Sequence, residues 1–130
     1  MANMKNDRES LLDLIKNLSI NRKDQVLLQV KLEKLEEKKK LQNLAMRRLE
    51  ARHINDVEQA RDQNNQPLLT NEWSKRAAVE ERLANDPQFT KVLIQHRLTC
   101  KAINRIVFKI GTLQVTIDEM ESKEKVLLTV

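Results

Sequence analysis

The sequence predicts an all-α protein, a long antiparallel helical hairpin of the coiled-coil kind with a short N-terminal helix and a short helix at the turn. A chain of 130 residues with one Gly and two Pro has few residues that end strands or build hairpins. A third of its residues are charged, which is typical of long helices. Aromatic residues make up 2%, so the core must be an aliphatic seam. We expect a single helical domain spanning residues 1–130.

The first predicted helix covers residues 7–18. Asn6 is placed to cap it, with Glu9 three residues later, the reciprocal arrangement that satisfies free amide groups at a helix start. An apolar stripe at helical spacing follows, made of Leu11, Leu14, Ile15 and Leu18. The segment "NLSIN" then offers further capping residues, so we expect a break there and a new start at Asn21.

The second predicted helix covers residues 22–61 and carries a heptad seam with several polar members. The seam consists of Leu28, Leu32, Leu35, Lys39, Gln42, Met46, Leu49 and His53. The segment "DQNNQP" ends this helix, because successive Asn residues favour turns and Pro67 has no amide hydrogen to donate.

Two further helices are predicted after the turn, over residues 71–84 and 87–125. Thr70 or Asn71 caps the first, and Glu72 lies at its positive end. Asp86 caps the second, with Pro87 at its first position, where no amide donor is lost. Its seam is Phe89, Val92, His96, Thr99, Ile103, Ile106, Ile110, Leu113, Ile117 and Met120.

Antiparallel pairing of the two long helices follows if the turn is centred near Trp73. Leu49 then meets Cys100, and Leu32 meets Ile117. A lone hairpin of two helices buries little surface for its size. We therefore expect the remaining apolar faces to associate into a homo-oligomer.

The sequence favours a non-enzymatic protein without cofactor or metal. It contains no Gly-rich phosphate loop, Cys-x-x-Cys, His-x-x-x-His or nucleophile elbow. The hairpin register places His53 opposite His96, either as a shared metal or pH-sensitive pair or, as we favour, as polar seam residues. Cys100 is interpreted as a small buried residue rather than a nucleophile.

The same features predict a soluble protein of the cytoplasm with no membrane partner. A single cysteine, Cys100, excludes an intramolecular disulfide and fits a reducing compartment. The N-terminus lacks the apolar run of a signal peptide. No stretch approaches the roughly 18 apolar residues of a membrane span.

Basic residues are concentrated near the middle of the chain, which has a net charge of +5. Between Lys91 and Lys109 there are five cations and no acid. The last four recur every four residues and predict a basic strip beside the seam: Arg97, Lys101, Arg105 and Lys109. Three arginines of the second helix fall at nearby levels: Arg47, Arg48 and Arg52.

These seven residues are the candidate nucleic-acid-binding site, each as a phosphate contact. Such binding would be salt-sensitive and indifferent to base sequence, because few aromatic side chains are available for stacking. The competing interpretation is a solvated face on a coiled-coil scaffold or adaptor whose apolar seams bind other helices. Trp73 is either a partner or base-stacking contact or, as we favour, a hydrophobic anchor for the short helix.

The stretch "TNEWSKRAAVEERLANDPQF" is similar to a pattern of small helical proteins from phages and mobile elements. The matching residues are Thr70, Asn71, Glu72, Arg76, Ala77, Leu83, Asp86, Pro87 and Phe89. The match covers roughly the C-terminal half, and the order of helices resembles phage recombination mediators of the UvsY type. This resemblance implies an oligomer in the host cytoplasm that loads a recombinase onto single-stranded DNA.

Overall fold

The computed structural model describes residues 2–129, with the side chains of residue 6 and of residues 8–129. It contains three helices in chain order: α1 (Ala2–Gln59), α2 (Glu72–Ala84) and α3 (Pro87–Thr129). No strand forms within residues 2–129, where pairing is limited to one isolated bridge between Arg61 and Pro67. The long helices α1 and α3 pack against each other, which confirms the predicted all-α helical hairpin.

Helix α1 is one continuous helix, so the predicted break at "NLSIN" and the separate helix over residues 7–18 are wrong. Its inward side chains alternate in steps of three and four without interruption: Leu11, Leu14, Leu18, Asn21, Gln25, Leu28, Leu32, Leu35, Lys39, Gln42, Met46, Leu49 and His53. The segment with capping residues lies within this repeat, and Asn21 donates a hydrogen bond to Met120 Sδ at 3.3 Å. Packing against α3 therefore overrides the local preference for a cap.

The capping residues after the turn act as predicted. Asn71 Oδ1 accepts a hydrogen bond from the backbone N–H of Trp73 at 2.8 Å and starts α2. Asp86 Oδ1 accepts from the N–H of Gln88 at 2.9 Å and from that of Phe89 at 3.4 Å, which starts α3. Helix α3 extends four residues beyond the predicted end, and all ten of its predicted seam residues are buried or half-buried.

The contacts of the chain group into two compact units. The terminal unit comprises Met1–Leu35 and Ala102–Val130, the N-terminal part of α1 with the C-terminal part of α3. The turn unit comprises Glu36–Lys101, with the end of α1, all of α2 and the start of α3.

In the terminal unit, the register differs from the predicted pairing of Leu32 with Ile117. Gln25 Nε2 donates to Gln114 Oε1 at 2.5 Å, and Arg22 pairs with Glu121 at 2.8 Å. Counting residues along the antiparallel helices from these contacts places Leu32 level with a residue of α3 about one heptad before Ile117. The predicted pairing is therefore wrong, although both residues do lie on the seam.

The turn unit explains why the register of α1 and α3 differs from the predicted pairing. Lys75 Nζ lies 3.8 Å from Glu58 Oε1, and Arg82 lies 3.0 Å from Asp56, so α2 already runs back along the last turns of α1. The chain therefore reverses in the loop before α2, and Trp73 lies past the centre of the turn. Leu49 consequently lies level with the first turn of α3 and not with Cys100.

Candidate nucleic-acid interface

All seven basic residues predicted to contact phosphate have exposed side chains: Arg47, Arg48, Arg52, Arg97, Lys101, Arg105 and Lys109. The ion pairs among the described side chains use other cations, namely Arg22, His53, Lys75 and Arg82. Within residues 8–129, none of the seven has a carboxylate within 4.0 Å. Their charges are therefore not neutralised by ion pairs within this part of the chain.

In the turn unit, five of these cations surround the paired helices on more than one side. Arg47 directly follows the seam residue Met46, and Arg97 directly follows the seam residue His96. In an antiparallel pair these equivalent positions lie on the same flank of the seam. The first group is therefore Arg47 with Arg97.

The other cations of the turn unit point elsewhere. Arg52 directly precedes the seam residue His53, so it lies on the opposite flank, and Arg48 is adjacent to it one turn earlier. Lys101, two residues after the buried seam residue Thr99, projects away from the partner helix. The turn unit thus presents cations on both flanks and on its outer surface.

The cations of α3 do not follow the seam as predicted. A step of four residues exceeds one helical turn by about 40°, so a spacing of four drifts steadily around the helix. Arg97 directly follows a seam residue, whereas Lys109 directly precedes one, Ile110. The expected strip beside the seam is therefore wrong in its course, since it crosses the outer surface of α3 instead.

The predicted pairing of the two histidines is also wrong. His53 Nε2 lies 2.7 Å from Asp86 Oδ2, and both side chains are largely buried, with 13% and 17% exposed. Arg82 Nε donates to His53 Nδ1 at 3.3 Å, and the opposite ring nitrogen, Nε2, faces Asp86. The hydrogen bond from His53 is the main cause that lowers the pKa of Asp86 from its usual 3.8.

His96 has a different neighbour, Cys100, one turn later on α3. The Cys100 Sγ lies 3.9 Å from each nitrogen of the His96 ring, and both side chains are half-buried. The two histidines therefore do not form a shared site. Among the side chains that the structure describes, no group of three or more His, Cys, Asp or Glu is placed to hold a metal ion.

Sequence reasoning missed the His53–Asp86 contact because it depends on the register. The capping pattern singles out Asp86, and the heptad seam singles out His53, each without reference to the other. Their meeting requires that α2 fold back along α1, which no local pattern indicates. The pair joins the cap of α3 to the last turns of α1.

Trp73 is not a buried anchor, since 80% of it is exposed. In the turn unit it lines a groove between α1 and α2 whose apolar side chains are Ile54, Val57, Val79 and Leu83. Four glutamates and two cations also line this groove: Glu50, Glu58, Glu72, Glu80, Lys75 and Arg76. The excess of carboxylates over cations repels phosphate, which argues against stacking of Trp73 on a nucleic-acid base. The prediction of a hydrophobic anchor is wrong, because the apolar face of α2 that packs on α1 lies beside Trp73 and not under it.

No family model, no curated protein and no solved structure matches this chain. Across residues 2–129, no helix combines the length and the apolar character needed to cross a membrane.

Proposed function

We propose that this protein binds nucleic acid through backbone phosphates, as a non-enzymatic accessory to recombination or replication in the cytoplasm of a phage-infected or mobile-element-bearing cell. The observation that carries the proposal is the set of seven exposed basic side chains without ion-pair partners among the described residues. Each cation that neutralises a phosphate releases condensed counterions, which makes the binding favourable and dependent on salt. The resemblance to UvsY-type mediators supports the same setting.

The distribution of cations in the turn unit favours a single strand over a duplex. Duplex DNA is stiff over about 150 base pairs and presents its phosphates to one side of a small protein. The group of Arg47 and Arg97 lies on one flank, and Arg48 and Arg52 lie on the other. A flexible single strand can follow both groups, whereas a straight duplex reaches only one of them.

Fluorescence anisotropy with a labelled oligothymidylate of about 30 nucleotides tests the proposal across a salt titration. We expect the affinity for the single strand to exceed that for a duplex of equal length and to fall steeply with salt. The triple variant Arg47→Glu/Arg97→Glu/Lys101→Glu removes three contacts. It should make the negative slope of log affinity against log salt shallower by about two, and it should weaken binding at low salt.

A matched control has the same charge change at exposed lysines outside the candidate site, Lys16→Glu/Lys23→Glu/Lys34→Glu. Circular dichroism should show unchanged helicity in both triple variants. Equal weakening by the two variants would mean that only net charge matters. That result, or no binding by the native protein at low salt, would refute the assignment of these residues.

A scaffold or adaptor is the second candidate function, and the Trp73 groove favours it. An exposed indole in a groove where four glutamates outnumber two cations suits a basic segment of a protein partner, such as a recombinase, because cations stack on aromatic faces. Under this function, Trp73→Ser abolishes binding of the partner, while the triple reversal at Arg47, Arg97 and Lys101 leaves it intact. The opposite pattern would favour the nucleic-acid proposal.

A further inference from the structure

The terminal unit has an apolar groove on one side of the α1–α3 seam that its own helices leave open. Leu27 and Phe108 lie on its surface with 62% and 75% of each residue exposed, and Leu28 and Leu113 lie at its base. A phenylalanine and a leucine that are both exposed on the lining of one groove are typical of an interaction surface rather than of a solvated face.

The charges along this groove change sign from one end to the other on α1. Asp24 lies at one end and Lys31 at the other, one heptad apart, with Leu27 between them. All three line the groove, and the two charged side chains have no ion pair among the described residues. This helix therefore contributes a negative end and a positive end to the groove.

Helix α3 has the same charge order in space, although its chain runs in the opposite direction. Thr112 lines the middle of the groove, and Arg105 and Glu119, one heptad on either side, project from the same face of the helix. Lys109 lines the groove beside Lys31. The end with Asp24 thus also has Glu119, and the end with Lys31 also has Lys109 and Arg105.

We propose that a second copy of this chain covers the groove, with a two-fold axis through its centre near Leu27 and Thr112. That axis reverses the second copy, so Asp24 of each copy faces Lys31 of the other and each Glu119 faces an Arg105. The exposed Leu27 and Phe108 of both copies are then buried between them. In this part of the molecule, α1 and α3 of one copy then pack face to face on α1 and α3 of the other, the arrangement of a four-helix bundle.

The charge order selects this partner and this orientation. A parallel arrangement of two copies places like charges together, which is repulsive along the whole groove. A uniformly basic or acidic helix matches only one end. A groove whose two ends have opposite charge is self-complementary only under a two-fold rotation whose axis crosses the helices and reverses their direction; two-fold symmetry is that of most protein dimers.

Two single charge reversals test the interface by sedimentation velocity. Asp24→Lys gives each copy Lys at both ends of α1 in the groove, and Lys31→Asp gives each copy Asp at both ends. The native chain of 15.2 kDa should sediment with twice that mass or a multiple of it. Each variant alone should dissociate at concentrations at least tenfold higher than the native protein.

The decisive arm mixes the two variants in equal amounts. Lys from one chain then meets Asp from the other at both contacts, so the mixture should regain the native mass. The double variant Asp24→Lys/Lys31→Asp should regain it as well. Lys16→Asp, at an exposed position of α1 outside the groove, serves as a control and should leave the mass unchanged.

Three results would overturn the proposal. The native protein could sediment as a monomer at about 100 μM, a concentration at which even weak dimers form. Its mass could be insensitive to the single reversals and to Phe108→Glu, which would place any association on another face. The mixture could fail to recover while circular dichroism shows both chains folded. In the dimer Arg105 and Lys109 lie at the interface, which leaves the five basic residues of the turn unit for phosphate. None of these variants touches those five, so loss of nucleic-acid binding and loss of the dimer are distinguishable.

Discussion

The terminal unit and the turn unit use the same heptad geometry with different side chains. The terminal unit buries Leu18 and Ile117, each 2% exposed, and leaves apolar side chains open on its flank. The turn unit buries Gln42 and Thr99 on its seam and adds the His53 contact to the cap of α3. Apolar packing stabilises both units without specifying one alignment, whereas the His53–Asp86 contact of the second forms in a single register.

The largest expected effect is the loss of apolar packing in the terminal unit. Ile117→Ala removes a buried side chain and should lower the free energy of unfolding by about 2–5 kcal/mol. Urea denaturation followed by circular dichroism measures this change. Val115→Ala on the same helix is the control, since Val115 is 58% exposed and should change stability by less than about 0.5 kcal/mol. Equal effects of the two substitutions would contradict the assigned seam.

A smaller and opposite effect is expected at the polar seam of the turn unit. Gln42 is 9% exposed, and its Oε1 has no hydrogen-bond partner among the described atoms. Gln42→Leu removes this unsatisfied acceptor and should raise the free energy of unfolding by about 1 kcal/mol. Thermal melting checks the sign. Gln29→Leu, an exposed position of α1, should show no such gain.

If Gln42 helps to set the register, the more stable Gln42→Leu protein should be less strictly held in the native alignment of its helices. Cysteine cross-linking between Lys75→Cys and Glu58→Cys, in a Cys100→Ser background, reports whether α2 still packs on α1 in the native alignment. We expect slower or less complete cross-linking in the Gln42→Leu protein. Unchanged cross-linking would show that Gln42 does not set the alignment of α2 on α1.

The smallest expected effect is a change in pH dependence at Asp86. The lowered pKa of Asp86 means that its interaction stabilises the fold above the ordinary value of 3.8 and is lost as the pH falls through the folded value. Asp86→Asn keeps a good cap for α3 and should flatten the loss of stability in this acidic window. Melting temperatures measured from pH 5 down to pH 2 check the slope.

His53→Gln removes the main cause of the pKa shift and should flatten the same acidic window. Asp13→Asn, an exposed carboxylate of the terminal unit, should leave the slope as in the native protein. A native slope in the Asp86→Asn protein would show that the contact with His53 contributes nothing to acid stability.

Much of the helical architecture was predictable because its causes are local. The caps at Asn71 and Asp86, the turn at "DQNNQP" and the seam of α3 all follow from side chains a few residues apart. The continuity of α1 was also present in the sequence. The stripe from Leu11 to Leu18 and the seam from Leu28 share one heptad phase, which the capping residues of "NLSIN" obscured.

The sequence by itself determined which residues form helices and which face of each helix is buried, because backbone propensity and heptad spacing are local properties. Only the tertiary structure decided the register, the partner of His53 and the exposure of Trp73. A heptad repeat looks the same after a shift of seven residues, so it cannot choose between alignments. The choice depends on where the loop before α2 reverses the chain and on which side chains then meet across it.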